Sequence, residues 1–336
     1  MAFLRVLLVR LATTAVTLAG VAVIVFVVIR VVPGNPIAMM LPPGATPEDI
    51  ARLTALYGLD KPLVAQFWIW LGGVLHGDFG TSITSRQPVL SLVLGRLPAT
   101  LELSVMALVI AIGLGGAAAL LGTLRRGTRA EGAIDVANGV ALSVPDFLWG
   151  LVLQLSLGVL WPVFHISGRI TPSLELPFTT NFYLTESVLR LRLDLWADIV
   201  AHMFMPALAL AIPLAAIIGQ LLKQSLKETM HLDYVTLART KGYSETHVIL
   251  RVALRNAVLP TLTLVGVQFT FLIGGTVIIE RLFSYEGLGN LAIDAVINRD
   301  LPVIQGIVIL FAAIFVAVNL LVDMTYAVLN PRLRHG

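Results

Sequence analysis

Long apolar segments alternate with polar stretches along the whole chain of 336 residues. A helix needs about 20 consecutive, largely apolar residues to cross the hydrocarbon core of a bilayer. Six segments meet this requirement and predict an all-α membrane protein with six transmembrane helices: residues 7–29, 101–122, 137–160, 199–222, 262–279 and 303–329. The first segment is longer than the apolar core of a cleavable signal, which has about 7–15 residues, so we interpret it as a retained helix.

The positions of lysine and arginine predict the orientation, because these residues are enriched in short cytoplasmic loops. With the N-terminus in the cytoplasm, thirteen of the 23 basic residues fall in short inside segments, and the other ten fall in longer outside loops. We therefore predict that the N- and C-termini are both cytoplasmic. The thirteen inside residues are Arg5, Arg10, Arg125, Arg126, Arg129, Lys223, Lys227, Arg239, Lys241, Arg251, Arg255, Arg332 and Arg334.

A long loop at residues 31–97 follows the first helix and is predicted to be extracytoplasmic. The sequence Thr-Pro-Glu-Asp at residues 46–49 is typical of a helix start. Residues 62–76 form a second amphipathic stretch, whose tryptophans are typical of a membrane interface. We accordingly predict three parts: residues 1–97, with the first helix and this loop; residues 98–329, with five helices and a cytoplasmic loop at 230–258; and a tail at 330–336.

The composition agrees with a membrane protein, since 57% of the residues are hydrophobic and 13% are charged, whereas about 25% are charged in soluble domains. The absence of cysteine excludes disulfides and thiolate metal sites. No G-x-x-x-x-G-K-[ST] motif, nucleophile elbow or H-E-x-x-H motif occurs, so the chain is predicted not to be an enzyme. The net charge of +3 is small, and we predict contact with membrane lipid and no nucleic-acid partner.

The stretch between the fourth and fifth apolar segments combines apolar and basic residues. Asp233 is predicted to cap a short helix that ends at Gly242, where a left-handed residue is favoured. Ser244 is predicted to cap a second helical stretch, and Pro260 to open the next membrane span. Charge alone is compatible with an ordinary positive cytoplasmic loop. Two short helices joined at a glycine are more typical of a segment that docks onto another protein.

The spacing within this stretch resembles the EAA loop of ABC importer permeases. Thr236-Leu237-Ala238, three further residues and Gly242 follow the family spacing, although Thr236 and Leu237 replace the usual Glu and Ala. The peptide-importer branch departs in the same way, with a pattern like DYVRTARAKG. In that family the loop is the coupling helix, which sits in a groove of the ATP-binding subunit. The resemblance implies a coupling role for Asp233, Tyr234, Val235, Ala238, Arg239, Lys241 and Gly242.

Further motifs extend the resemblance over nearly the whole chain. GDFGTSITSRQPV, RLPATLEL, the pattern E-x-x-F-x-x-x-G-L-G followed by R-D-x-P, and the C-terminal NLLVDMTYAVLNPRLR are similar to dipeptide, oligopeptide and nickel permeases. The resemblance implies a type I ABC importer permease fold in a bacterial inner membrane. It also implies a second homologous permease in a heterodimer, two ATP-binding subunits and an extracytoplasmic substrate-binding protein. ATP and magnesium would bind in those partners, and this chain would hold no cofactor.

The leading hypothesis is therefore a permease subunit that imports short peptides by alternating access. Nickel chelates, glutathione, opines and small glycosides are alternative cargoes for the same architecture. An ion-coupled carrier or channel acting alone is a different class. Transporters driven by protons or sodium place carboxylates or broken helices at mid-membrane. Glu102, Asp146 and Asp323 all lie near the ends of predicted spans, so this class is disfavoured.

The cargo path is predicted at the interface with a second permease, along the fourth, fifth and last spans. Small residues and one polar side chain in the fifth span indicate this path: Gln268, Thr270, Gly274 and Thr276. Packing between helices is an equally open interpretation of these four positions. Small residues also recur at every fourth position of the second and fourth spans, where we favour packing: Ala111, Gly115 and Ala119, and Ala207, Ala211, Ala215 and Gly219.

Overall fold

The computed structural model describes residues 2–31, 60–174 and 178–329, together with positions 46, 48, 51, 54 and 55. The described part is helical, which confirms the all-α class, and it contains one isolated β-bridge, between Thr81 and Pro88. The helix start predicted at residues 46–49 lies mostly outside the described residues, and the tail at 330–336 lies wholly outside them.

Twelve helices follow one another along the described residues. They are α1 (Ala2–Val31), α2 (Leu63–Leu75), α3 (Val89–Leu124), α4 (Arg129–Ser143), α5 (Asp146–Leu153), α6 (Tyr183–Leu189), α7 (Leu193–Thr229), α8 (Asp233–Thr240), α9 (Glu245–His247), α10 (Leu254–Leu282), α11 (Leu288–Ile297) and α12 (Leu301–Leu329). π-Helical segments extend α5 over Gln154–Leu160 and join α9 to α10 over Val248–Ala253.

Four helices of the described part are long and apolar enough to cross a membrane: α3, α7, the continuous run Glu245–Leu282, and α12 over Leu301–Val322. The bent pair Arg129–Ser143 and Asp146–Leu160 makes a fifth crossing if it is counted as one span. α1 has 30 residues, and Ala12–Val28 is the apolar stretch among its residues whose side chains are described. The six predicted spans therefore correspond to four or five candidate crossings, and the sixth stays a prediction.

Two predicted spans differ from the structure because of proline. The third predicted span is bent by 103° between α4 and α5. Val144 is extended there (φ −101°, ψ 124°), since the ring of Pro145 disfavours the helical conformation of the residue before it. The prediction that Pro260 opens the fifth span was wrong. Pro260 lies inside α10, which tolerates the loss of one backbone donor. α9, the π turn and α10 form one continuous run from Glu245 to Leu282.

Contacts divide the chain into two compact units. The first comprises Met1–Leu97 and Leu291–Gly336, and the second comprises Pro98–Asn290. In the second unit α7 is the central helix, and 67% of an 18-residue apolar stretch of this helix is buried. The small residues of α3 and α7 explain this packing. A side chain on Gly115 would collide with the carbonyl oxygen of Ala215 and lie 3.1 Å from the amide nitrogen of Gly219. The interpretation of this strip as packing within one chain is confirmed.

In the first unit α1 packs against α12 and α2. The ring of Phe26 on α1 lies 5.3 Å from Phe67 and 5.7 Å from Trp70, both on the predicted amphipathic stretch that forms α2. The carboxylate of Asp300 accepts hydrogen bonds from the hydroxyl of Ser82 (2.6 Å) and the amide of Thr84 (3.0 Å). These contacts join the turn before α3 to the start of α12.

Candidate functional site

The segment from α8 to α9, residues 233–247, has an inner and an outer face. Val235 is fully buried and Ala238 is 6% exposed. Both pack in a core cluster with Leu226 of α7, with Met230 just beyond the end of α7, and with Val248 from the following π turn. Of the residues assigned to coupling, these two therefore hold α8 against its own chain.

The outer face of α8 and the residue just beyond it carry partly exposed apolar and aromatic side chains. Leu237 is 55% exposed and Tyr234 is 37% exposed, and Tyr243 just beyond the helix is 49% exposed. Asp233, Arg239, Lys241 and Gly242 are also exposed. The prediction that Asp233 caps α8 was wrong. Leu232 occupies the cap position without a side-chain hydrogen bond, and Asp233 is the first helical residue, where its negative charge favours the positive helix end.

The corner between α8 and α9 is fixed by several contacts. Gly242 adopts φ +82°, as predicted for a left-handed exit from a helix. Ser244 caps α9 by accepting a hydrogen bond from the amide of His247, which confirms its predicted role. The guanidinium of Arg239 donates to both carboxylate oxygens of Glu245 (2.7 and 3.2 Å), and this hydrogen bonding raises the pKa of Arg239. The corner therefore presents α8 in a defined orientation.

The four residues assigned to the cargo path do not share one surface. Thr270 and Thr276 are buried, and their hydroxyls donate to carbonyls of their own helix, at Val267 and Ile273. Gly274 is exposed, with nothing within 4 Å of an added Cβ. Gln268 lines a cavity of about 260 Å³.

Asp146 also lines this cavity. Asp146 begins α5 immediately after the break at Pro145, and its carboxylate lies 3.8 Å from the Cβ position of Gly275 on α10. The remaining lining is mostly apolar and includes Leu210 and Phe271. From its position in the sequence, Asp146 was predicted to lie near the end of a span. The helix break instead brings it beside the same helix face as Gln268.

Two buried carboxylates have structural roles that sequence reasoning missed. Glu280 is fully buried and accepts hydrogen bonds from the Thr100 hydroxyl (2.6 Å) and from the amides of Gly289 (2.7 Å) and Asn290 (3.1 Å). It therefore caps the start of α11. A side chain on Gly289 would meet Glu280 and the backbone of Val277. The contacts of Glu280 and Asp300 explain the acids and glycines of the E-x-x-F-x-x-x-G-L-G and R-D-x-P patterns. These two patterns were the sequence signal from which the structural roles could have been predicted.

The four or five candidate crossings of the described residues define the class of protein: a helical membrane protein. Residues 87–335 match the family described as "Binding-protein-dependent transport system inner membrane component", and residues 3–104 match the family of its N-terminal region. The chain belongs to the binding-protein-dependent transport system inner membrane component family.

Relatives match this chain over nearly its full length. The dipeptide transport system permease protein DppB of Escherichia coli (strain K12) is 39% identical over 340 residues, 99% of each chain. The di/tripeptide transport system permease protein DppB of Pseudomonas aeruginosa (strain UCBPP-PA14) is 35% identical over 327 residues, 97% of each chain. The glutathione transport system permease protein GsiC of Salmonella choleraesuis (strain SC-B67) is 34% identical over 332 residues, 99% of each chain.

A solved structure supports the fold. The crystal structure of an amino acid ABC transporter with histidines superimposes with a TM-score of 0.50 and 15% sequence identity. The match covers 70% of this chain and 92% of that one. At this identity the likeness concerns the fold alone, and together with the family match it supports the type I ABC importer permease fold.

Proposed function

We propose that this chain is one membrane subunit of an ATP-driven importer, and that it moves short peptides into the cytoplasm by alternating access. The observation that carries the proposal is the 39% identity to a dipeptide permease over 99% of both chains. The chain contains no nucleotide-binding motif, so the energy comes from two ATP-binding subunits that hold ATP and magnesium. An extracytoplasmic binding protein delivers the cargo.

The outer face of α8 is the proposed contact with the ATP-binding subunit. Leu237 and Tyr234 supply apolar surface, and Lys241 supplies charge at its edge. Val235 and Ala238 couple this surface to α7 by packing in the core beneath it. A displacement of α8 is therefore transmitted to the central helix of the unit, because closely packed side chains do not compress.

A second permease is proposed to cover the exposed stripe of α10, in a heterodimer whose interface contains the cargo path. Val267, Phe271, Gly274 and Ile278 recur at helical spacing and are all exposed in the single chain. Gln268 and Asp146 lie beside this stripe in the cavity between α5, α7 and α10. Polar groups in such a cavity offer a peptide hydrogen-bond partners without enclosing it.

We also propose six crossings, with both termini in the cytoplasm and residues 31–97 outside. The charge asymmetry of the loops supports this orientation. Single cysteines at the exposed positions Ser85 and Ser244 should react with a membrane-impermeant maleimide from opposite faces of oriented vesicles. Reaction of both from the same face contradicts the orientation.

The coupling role is tested by reconstitution of the chain with its partner subunits and binding protein in proteoliposomes. Leu237→Ala should preserve assembly and basal ATP hydrolysis but reduce the hydrolysis that the loaded binding protein stimulates. Leu189→Ala is a matched control, because Leu189 is 77% exposed on α6, and the 37 residues of α7 separate it from α8 by about 55 Å. Equal stimulation in wild type and Leu237→Ala removes the support for the coupling role.

Glutathione is the second candidate cargo, since a glutathione permease is 34% identical over 99% of this chain. Uptake of a labelled dipeptide and of labelled glutathione by the same proteoliposomes separates the two. ATP-dependent uptake of the dipeptide alone supports the proposal. Uptake of glutathione alone contradicts the peptide cargo and still supports the proposal that the chain belongs to an importer.

A further inference from the structure

Two histidines and an aspartate meet in the second unit, away from α8 and from the Gln268 cavity. Asp198 and His202 lie one turn apart on α7, and His165 lies on the segment that follows the π-helical end of α5. One potential ligand atom from each of the three residues lies within 4.8 Å of the others. The imidazole rings of His165 and His202 are stacked, with centroids 3.8 Å apart and planes at 6°.

Hydrogen bonding within α7 uses Nδ1 of His202. This atom lies 2.8 Å from the carbonyl oxygen of Asp198 and 3.5 Å from its carboxylate Oδ2, and because both oxygens are acceptors, Nδ1 carries the proton. The neutral ring then presents the lone pair of Nε2, as metal-binding histidines commonly do. Each carboxylate oxygen of Asp198 accepts one hydrogen bond from Thr171, which fixes the carboxylate and leaves each oxygen further acceptor capacity.

The segment that carries His165 is anchored on both sides of this residue. Phe164 stacks on Phe204 of α7 with ring centroids 4.6 Å apart. The side chain of Gln154 donates to the carbonyl of Ile166 (3.0 Å). His165 is therefore held over α7 by its neighbours, while its own ring is exposed. A site whose ligands are positioned by other contacts loses little entropy when it binds an ion.

We propose that His165, Asp198 and His202 bind a divalent transition-metal ion, with zinc as the ion that fits best. Two imidazoles and one carboxylate suit zinc, copper or nickel, and zinc sites with three protein ligands keep a position open to water. Ligand atoms about 2.1 Å from a tetrahedral ion are about 3.4 Å apart. The parallel rings of His165 and His202 do not converge on one point, so binding requires the exposed His165 ring to turn out of the stack. Calcium and magnesium prefer six or more oxygen ligands, which this cluster does not offer.

Metal binding links two parts of the second unit. The ion would bridge the segment at residues 161–174 to α7, the helix around which this unit packs. The bridge adds to the hydrogen bond between the amide of Gly168 and the carbonyl of Phe283 (2.9 Å), which ties the same segment to the end of α10. The ion therefore stabilises the connection between α5 and α6.

Cobalt absorption tests the site without reference to transport. The full-length chain, purified in nanodiscs with a tag that contains no histidine, is titrated with Co²⁺, whose tetrahedral complexes absorb visible light strongly. We expect one saturable site that Zn²⁺ displaces and that excess Ca²⁺ or Mg²⁺ does not. His165→Gln should abolish the absorption. His76→Gln is the matched control and should leave it unchanged, because His76 is also exposed and its Nδ1 bonds the carbonyl of Gly72.

The exposed ligand keeps the proposal open to refutation, because His165→Gln is not expected to affect folding. His202 is 4% exposed, so His202→Gln is interpreted only where the variant retains the wild-type unfolding temperature without metal. Zinc should raise the unfolding temperature of the wild type and of His76→Gln, and should not raise that of His165→Gln. The absence of a saturable site, or identical Co²⁺ spectra in wild type and His165→Gln, overturns the proposal and assigns the stacked rings to packing.

Discussion

Replacement of Asp300 should loosen the turn at residues 81–88 in two graded steps. Asp300 is 2% exposed, and its carboxylate accepts three hydrogen bonds, from the Ser82 hydroxyl (2.6 Å) and the amides of Ile83 (3.2 Å) and Thr84 (3.0 Å). Asp300→Ala removes all three acceptors. Asp300→Asn keeps one oxygen, which can serve Ser82 and Thr84, but it turns an NH₂ group toward the amide of Ile83.

The size of each step follows from which donors can reach water. A hydrogen bond to a charged group stabilises by about 1.5–3 kcal/mol, and a buried donor left unpaired costs about 1–3 kcal/mol. Thr84 is exposed, so its amide regains water, whereas Ser82 is 4% exposed and cannot. We therefore expect Asp300→Ala to destabilise the closed turn by about 3 kcal/mol and Asp300→Asn by about half of that.

Hydrogen–deuterium exchange of a peptide that covers residues 81–88 measures this local opening in the nanodisc-embedded chain. Because every 1.4 kcal/mol is a factor of ten, exchange should accelerate by about 150-fold in Asp300→Ala and by about tenfold in Asp300→Asn. Asp60→Asn, at an exposed acid of the same unit, is the control and should leave exchange unchanged. An exchange rate in Asp300→Ala equal to that of the wild type would refute the reasoning, because Asp300 would then not hold the turn closed.

Three further changes test other parts of the chain. Gly115→Ala should destabilise the chain by about 1–3 kcal/mol through overpacking, because the new Cβ meets the α7 backbone. Gly113→Ala should not destabilise it, because nothing lies within 4 Å of the added Cβ, and thermal unfolding of both variants measures the difference. Gly274→Trp should lower transport while assembly and basal ATP hydrolysis persist, and loss of assembly would instead make Gly274 a packing residue. The pKa of Glu186 is lowered to about 2, first by the hydrogen bond from the Thr180 hydroxyl. The contribution of Glu186 to the stability of the fold should therefore be complete above pH 4.5, the ordinary pKa of the group, and should decline as the pH falls toward 2. Glu186→Gln should flatten this decline in measurements of unfolding against pH.

Apolar periodicity predicted the helices whose structure depends on local sequence. The segments at 101–122 and 199–222 lie within α3 and α7, and Gly242 and Ser244 have their predicted conformations at the α8–α9 corner. Helix ends set by competing preferences were harder to predict. Pro145 breaks a span and Pro260 does not. Pro98, Pro206 and Pro213 also lie inside continuous helices, so a proline in apolar surroundings does not by itself predict a helix break.

Sequence spacing reveals neighbours on one helix, and the candidate sites combine elements that are distant along the chain. Asp198 and His202 are four residues apart and could be noticed, but His165 precedes them by more than thirty positions and reaches them only because Phe164 is anchored on Phe204. Asp146 likewise reaches the face of Gln268 only through the break at Pro145. Where a helix breaks determines which distant side chains meet. The residues most difficult to predict were therefore those brought together by a broken helix or by an anchored loop.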